Sequence, residues 1–159
     1  MYETVLFPTD GETSSERACE DAVETASVHD ATLHVVHVVD EATVELLSNV
    51  GETERETVEE SLEGEAEEMV EEAVEVARDE GVDVEGAVRH GKPDEEIAAH
   101  AEEIDADLIV MGTEDRMDEY RDILGSVTES VLRKTGRRVM VVKTELDVPP
   151  ESSRSEQRN

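Results

Sequence analysis

The sequence is poor in the groups that anchor small proteins covalently or aromatically. Its 159 residues hold one cysteine, no tryptophan, one phenylalanine and two tyrosines, and aromatics make up 2% of the chain. A lone Cys19 cannot close an internal disulfide, so the chain suits a reducing compartment. Cys19 stands beside Ala18 and Ala22 on what reads as the buried side of a helix, and is core filler there rather than a nucleophile. With so few aromatics the core has to be aliphatic. A chain of this length can bury such a core as one domain without metal or disulfide staples. No apolar run approaches membrane-spanning length. The opening Met1-Tyr2-Glu3-Thr4-Val5-Leu6-Phe7 reads as a strand and not as a basic leader. The expected location is the cytoplasm, with no membrane partner.

Lysine is scarce too. Only Lys92, Lys134 and Lys143 occur, against 11 arginines, and these 14 cations face 44 carboxylates for a net charge of −30. Such a surface repels phosphodiester backbones and excludes nucleic acid as a partner. Acidity of this degree marks disorder, a docking face for a basic protein, or adaptation to molar salt, where the screening length shrinks to about 3 Å. The apolar periodicity described next argues against disorder. Lysine scarcity with acidic excess is similar to the pattern of halophilic proteins.

Thr4 to Pro8 is a short apolar run and reads as a buried strand. Thr13 and Glu16 fit a capping box, and Ala18, Cys19, Ala22, Val23 and Ala26 then line one face of a helix running to about Val28. Ala31 to Val39 is a second strand, apolar enough to be covered on both sides. Asp40 to Gly51 reads as a less regular connection. From Glu52 to Glu80 the spacing of Val58, Leu62, Ala66, Met69, Ala73 and Ala77 predicts a long helix with a solvated glutamate face, closed by Gly81. Val82 to Arg89 alternates weakly and reads as a strand near an edge. Pro93 opens a helix with Ile97, Ala98, Ala101 and Ile104 inside. Asp107 to Met111 is a fourth strand. Gly112 to Leu124 is a charged connection. Ser126 and Glu129 form a second capping box before a helix bearing Val127, Val131 and Leu132, and Val139 to Lys143 is a fifth strand. Residues 144–159, with Pro149-Pro150 and three serines, read as a disordered polar tail beyond a domain of residues 1–143.

Strands alternating with helices predict an α/β fold: a doubly wound, five-stranded parallel sheet with helices on both faces. Ligands of such sheets bind beyond the carboxyl ends of the strands, where strand order reverses. If the first and fourth strands flank that point, the groove lies between Pro8-Thr9-Asp10 and Met111-Gly112-Thr113.

Gly86-Ala87-Val88-Arg89-His90-Gly91-Lys92-Pro93 matches a phosphate-binding loop except at its last position. Pro93 offers neither a hydroxyl for a metal nor a backbone N–H, and Gly86 falls inside a strand, so the match carries no weight. The segment from Met111 to Lys143 is more specific. A glycine at 112, then Gly125-Ser126, followed by Val127-Thr128-Glu129 and the apolar strand Val139-Met140-Val141-Val142, resembles the C-terminal signature of universal stress proteins. The opening Leu6-Phe7-Pro8-Thr9-Asp10 and the strand end His37-Val38-Val39-Asp40 resemble the same family, so the likeness covers about residues 2–143.

The resemblance implies a homodimeric stress-response regulator with a groove for ATP or another adenine nucleotide, with Mg²⁺ able to accompany it, and with an unidentified protein partner. Asp10 and the backbone around Val38 would hold adenine and ribose, with Pro8, Thr9 and Met111 in the same groove. Gly112 would let the backbone approach the phosphates. Gly125, Ser126, Val127 and Thr128 would present a helix N-terminus to them. Val139, Met140, Val141 and Val142 would pair with their twins across a two-fold axis. One position departs from the family pattern: Asp115, preceded by Glu114, stands where the signature has its second glycine. It adds a Cβ and a negative charge where phosphate is expected. A dimeric interaction protein without nucleotide is therefore the alternative.

Bland readings stand beside these. Asp10 could simply end a strand, Ser126 and Glu129 could simply cap a helix, and Gly112 could serve only a turn. His34 and His37 lie at odd spacing and face opposite sides of a sheet, as packing residues rather than metal ligands. His29, His90 and His100 form no ligand spacing. No catalytic constellation follows from residue order; slow ATP hydrolysis would need a water-positioning base that the sequence does not identify.

Overall fold

Apolar strands and amphipathic helices alternate along the chain and assemble one parallel sheet, seen in a computed structural model that describes residues 1–11, 13–50, 54–113 and 125–143. The elements are β1 (Thr4–Pro8), α1 (Thr13–His29), β2 (Thr32–Asp40), α2 (Glu41–Val50), α3 (Arg55–Asp79), β3 (Val84–Gly91), α4 (Pro93–Glu103), β4 (Leu108–Gly112), α5 (Ser126–Lys134) and β5 (Arg138–Val142). The strand order is β3-β2-β1-β4-β5. β1 lies at the centre, paired with β2 from Thr4–Thr32 to Pro8–Val36 and with β4 at Val5–Leu108 and Leu6–Ile109. Strand order reverses at β1, so the switch point falls between β1 and β4 as the sequence suggests. Glu114 and Asp115, the rest of the charged connection, and residues 144–159 lie outside the described residues.

The alternation of side chains along each strand feeds two cores. Val5 and Phe7 of β1, Leu33 and Val35 of β2 and Val110 of β4 meet α1 and α3 on one face. Leu6, Val36, Val38, Ile109 and Met111 meet Ile97 and Ala101 of α4 and Val131 of α5 on the other. Each of the Val, Leu, Ile, Phe and Met side chains among them contributes about 1.5–3 kcal/mol by its burial. Arg137 closes the far side: it donates to Glu102 at the end of α4 and to the Ala106 carbonyl before β4. Its guanidinium, hydrogen-bonded to Glu102, holds that carboxyl below the usual carboxylate range. Lys134 in the last turn of α5 reaches Asp94 in the first turn of α4 at 3.0 Å, which fixes the two helices side by side.

Four expectations need correction. Residues 41–50 form a helix, α2, rather than an irregular connection. The Asp40 side chain accepts from the Ala42 N–H at 2.9 Å and starts the helix, and Val44 plugs it into a small core with Val39, Val58 and Ala66. Its signal is blurred because Leu46 and Leu47 point outward, so no single apolar stripe exists. Second, Ser126 is the first residue of α5 rather than its cap. Gly125 takes the extended cap position, and its carbonyl accepts from the Glu129 N–H at 3.0 Å. Third, α5 buries Thr128 and Val131, while Val127 and Leu132 are partly exposed. α1 also begins at Thr13 itself.

The decoy phosphate loop has a packing role. Gly86 lies within β3, and a Cβ there would sit 2.5 Å from Val70 Cγ1 and 3.1 Å from Val74 Cγ2 of α3. Both neighbours are β-branched and fixed in rotamer, so neither can swing aside. Gly86→Ala should therefore lower unfolding stability by roughly 1–3 kcal/mol. Urea unfolding checks this as a lower midpoint at unchanged slope.

Candidate functional site

At the carboxyl ends of β1, β2 and β4 a groove of about 280 Å³ opens between the sheet and the helices α4 and α5. Its volume is near the lower end of the range for small-ligand sites. The floor is apolar, from Val36 and Val38 of β2, Ile97 of α4 and Met111 of β4. The rim is polar: Thr9, Asp10, Ser15, His37, Asp40, Thr113 and Thr128. Pro8 and Gly112 close the strand ends, and Pro93 and Val127 form helix-side walls.

The turn after β1 is tied down from three sides. The Thr9 N–H donates to the Val36 carbonyl at 2.8 Å, continuing the strand pairing one residue past β1. The Gly11 N–H donates to Thr9 Oγ1 at 3.2 Å. His37 Nδ1 lies 2.6 Å from the Thr9 carbonyl. A carbonyl only accepts, so the bond needs a proton on His37 Nδ1. On the opposite wall the Thr128 hydroxyl donates to the Gly112 carbonyl at 3.1 Å. That bond fastens the first turn of α5 to the end of β4.

α5 begins beside the groove. Its first N–H groups have no preceding turn to bond, and its cap residue, Gly125, has no side chain to offer them. Together with the helix dipole, they make this end attractive to an anion. Asp10 and Asp40 stand at the β1–β2 end of the same groove, where a phosphate would be repelled and donor groups welcomed.

The structure thus brings Pro8, Thr9, Asp10, Val38, Met111, Gly112, Val127 and Thr128 together around one space. Gly125 and Ser126 are adjacent at the helix start but do not line it. Cys19 lies elsewhere, on the buried face of α1, with its thiol pushed up to about 11 by burial and then by Glu20, which suits core filler and not a thiolate. Among the described residues no cluster of His, Cys, Asp or Glu could hold a metal ion, and no helix is long and apolar enough to cross a membrane.

Residues 1–143 match the universal stress protein family. The chain belongs to that family. A universal stress protein of Methanocaldococcus jannaschii is 34% identical over 143 residues, covering 90% of this chain and 83% of the relative. Hypothetical protein MJ0577, whose biochemical function was assigned from its structure, superposes with a TM-score of 0.78 at 29% identity, over 91% of this chain and 98% of its own. The universal stress protein of Archaeoglobus fulgidus solved with dAMP gives a TM-score of 0.65 at 26% identity, over 89% and 98%. A universal stress protein solved with cAMP gives 0.64 at 26%, over 91% and 98%. The five-stranded doubly wound sheet is thus the family's fold.

Several groove residues of this universal stress protein escaped the reading of its sequence. His37, a packing residue by its spacing, lines the groove and holds the Thr9 carbonyl. Its neighbour at odd spacing, His34, packs edge-on near His100 of α4, with ring centroids 6.3 Å apart. Ser15, Val36, Asp40, Pro93 and Ile97 also line the groove without a sequence signal that marks them, whereas Thr113 lies where the strand ends place it. Pro93 and Ile97 look like ordinary helix-start and core residues in sequence. Only the placement of α4 over β2 and β3 turns them into a wall.

Proposed function

We propose that this universal stress protein binds an adenine nucleotide in the switch-point groove and acts as a homodimeric, cytoplasmic regulator adapted to molar salt, without dedicated catalytic groups. The supporting observation is the polarity of the groove: an apolar slot with carboxylates at one end and a helix start with a glycine cap residue at the other. A planar base fits between Val38 and Met111. Asp10 accepts from ribose or base donors. The phosphates run toward Gly112 and the first N–H groups of Ser126, Val127 and Thr128. ATP and the monophosphates share this mode, and Mg²⁺ can bridge phosphate to carboxylate. The relatives solved with dAMP and cAMP support the adenine nucleotide class.

The alternative is a dimeric interaction protein of the same fold with no nucleotide. Glu114 and Asp115, in the segment where the family signature expects a glycine, favour it. Equilibrium dialysis against ATP and AMP, with and without Mg²⁺, separates the two. Saturable binding at one site per chain supports the groove reading, and no binding of either ligand leaves the interaction protein. Asp115→Gly then locates the charge. It should tighten ATP by about fivefold, roughly 1 kcal/mol for one partly screened charge near the distal phosphates, and AMP by much less. Equal gains for both ligands would contradict phosphates lying at that end.

A further inference from the structure

Behind the Thr9–Gly11 turn lies a second groove, of about 400 Å³, between α1 and α3. It shares Thr9 and Ser15 with the first, so these residues form a thin wall between the two spaces. Met69 of α3 occupies the far side of that wall. Gly11 has φ +74°, and a Cβ on it would sit 2.7 Å from both Cγ and Sδ of Met69. The thioether therefore rests directly on the Gly11 backbone, whose positive φ favours glycine. Met69 is half-buried, and it opens to solvent through the groove it lines.

We infer that Met69 is a peroxide-modified site whose oxidation loosens the nucleotide groove, an inference that rests on the adenine nucleotide reading for its effect on ligand. The sulfur lone pair takes one oxygen from the peroxide as the O–O bond breaks. An S–O bond forms and water leaves; sulfur loses two electrons and the peroxide gains them. The product is larger and polar, with a strong acceptor where an apolar thioether sat. With Cγ and Sδ already against Gly11, an oxygen on that side displaces either the Met69 side chain or the turn. The nearest backbone donor on the contacted residue is the Gly11 N–H, held to Thr9 Oγ1 by a 3.2 Å bond. The sulfoxide oxygen competes for that donor and pushes the turn away from α3. The turn carries Thr9 and Asp10, so the groove loses its β1 wall. Glu16, Glu20 and Glu72 stand exposed around the opening. They carry no group that would react with a neutral peroxide entering there.

The test treats the intact protein with hydrogen peroxide. Peptide mass spectrometry maps each methionine, while hydrogen exchange over residues 9–11 and AMP affinity are followed in parallel. Met69 should gain one oxygen well before Met111, which is 5% exposed. Exchange at the turn should rise severalfold, and AMP should bind about fivefold to tenfold more weakly, the scale of one lost hydrogen bond. Methionine sulfoxide reductase should reverse both changes. Met69→Leu, of similar volume, should bind AMP normally and respond to neither treatment. Exchange reports on the turn without any nucleotide, so an unoxidised chain that ignores AMP overturns the function proposed above and not this site. Met69 sulfoxide with unchanged exchange, or an equal response in Met69→Leu, overturns the present inference.

Discussion

Raising KCl from about 0.1 to 3 M should lift the thermal midpoint by about 10 °C or more, most of it below about 1 M, where the screening length has already fallen to about 3 Å. The expectation follows from where the charge sits. α3 exposes Glu56, Glu59, Glu60, Glu65, Glu67, Glu68, Glu71, Glu72 and Glu75, with Arg55 and Arg78 the only cations on the helix. Four of its pairs, Glu56–Glu60, Glu67–Glu71, Glu68–Glu72 and Glu71–Glu75, set like charges one turn apart. Each such pair costs about 0.2–0.5 kcal/mol when unscreened. The rest of the surface adds to this, since the net charge is −30. A kcal/mol moves the midpoint of a domain this size by about 2–4 °C. Salt also weakens favourable pairs such as those of Arg89 and Arg137, but these are few against 44 carboxylates. A flat or falling midpoint would remove the halophilic part of the account. A rise confined to the range above 1 M would point to altered hydration of the surface and not to screening.

Val141→Lys should convert a dimer into a monomer. The sheet has two edge strands, β3 and β5. β3 reads Val84-Glu85-Gly86-Ala87-Val88-Arg89-His90-Gly91, and its charged side chains are of the kind that protect an edge. β5 reads Arg138-Val139-Met140-Val141-Val142, with Val139, Met140 and Val141 only half-buried by their own chain. An apolar edge of this length invites another strand, and a two-fold partner satisfies it without open-ended growth. The cations Arg138 and Lys143 at its ends work against longer assemblies. Light scattering in molar salt should give twice the chain mass of 17.6 kDa for the native protein and the single mass for Val141→Lys. Met140→Pro should act in the same direction by removing a donor from the strand. Helical circular dichroism should stay nearly unchanged in both variants, because the helices pack on the sheet faces and not on its edge. A native monomer, or a dimer indifferent to both substitutions, would mean that this edge is covered some other way.

The fold was legible because periodicity and burial agree over most of the chain. Ala18, Cys19, Ala22, Val23 and Ala26 all reach the core their spacing suggests. Leu108, Ile109, Val110 and Met111 are buried, as a continuous apolar run between layers should be. α2 was missed because its two leucines face outward and its start depends on an Asp40 cap that reads equally well as a turn. The buried stripe of α3 was read too narrowly: Val70 and Val74 are in it as well, because α3 packs along both β2 and β3 and needs a wider apolar face. The groove was legible only at its strand ends, where Pro8-Thr9-Asp10 and Met111-Gly112 fall on opposite sides of the reversal in strand order. Its helix side depends on how α4 and α5 lie across the sheet. His37 depends on a long-range bond to Thr9 that no local pattern encodes.

Photolabelling with 8-azido-AMP in molar KCl, followed by peptide mapping, tests the adenine groove most directly. The account predicts saturable label confined to residues 8–10, 36–40 and 111–113, removed by excess AMP or ATP. Label spread over other surfaces, or label at these residues that excess nucleotide does not reduce, would contradict it.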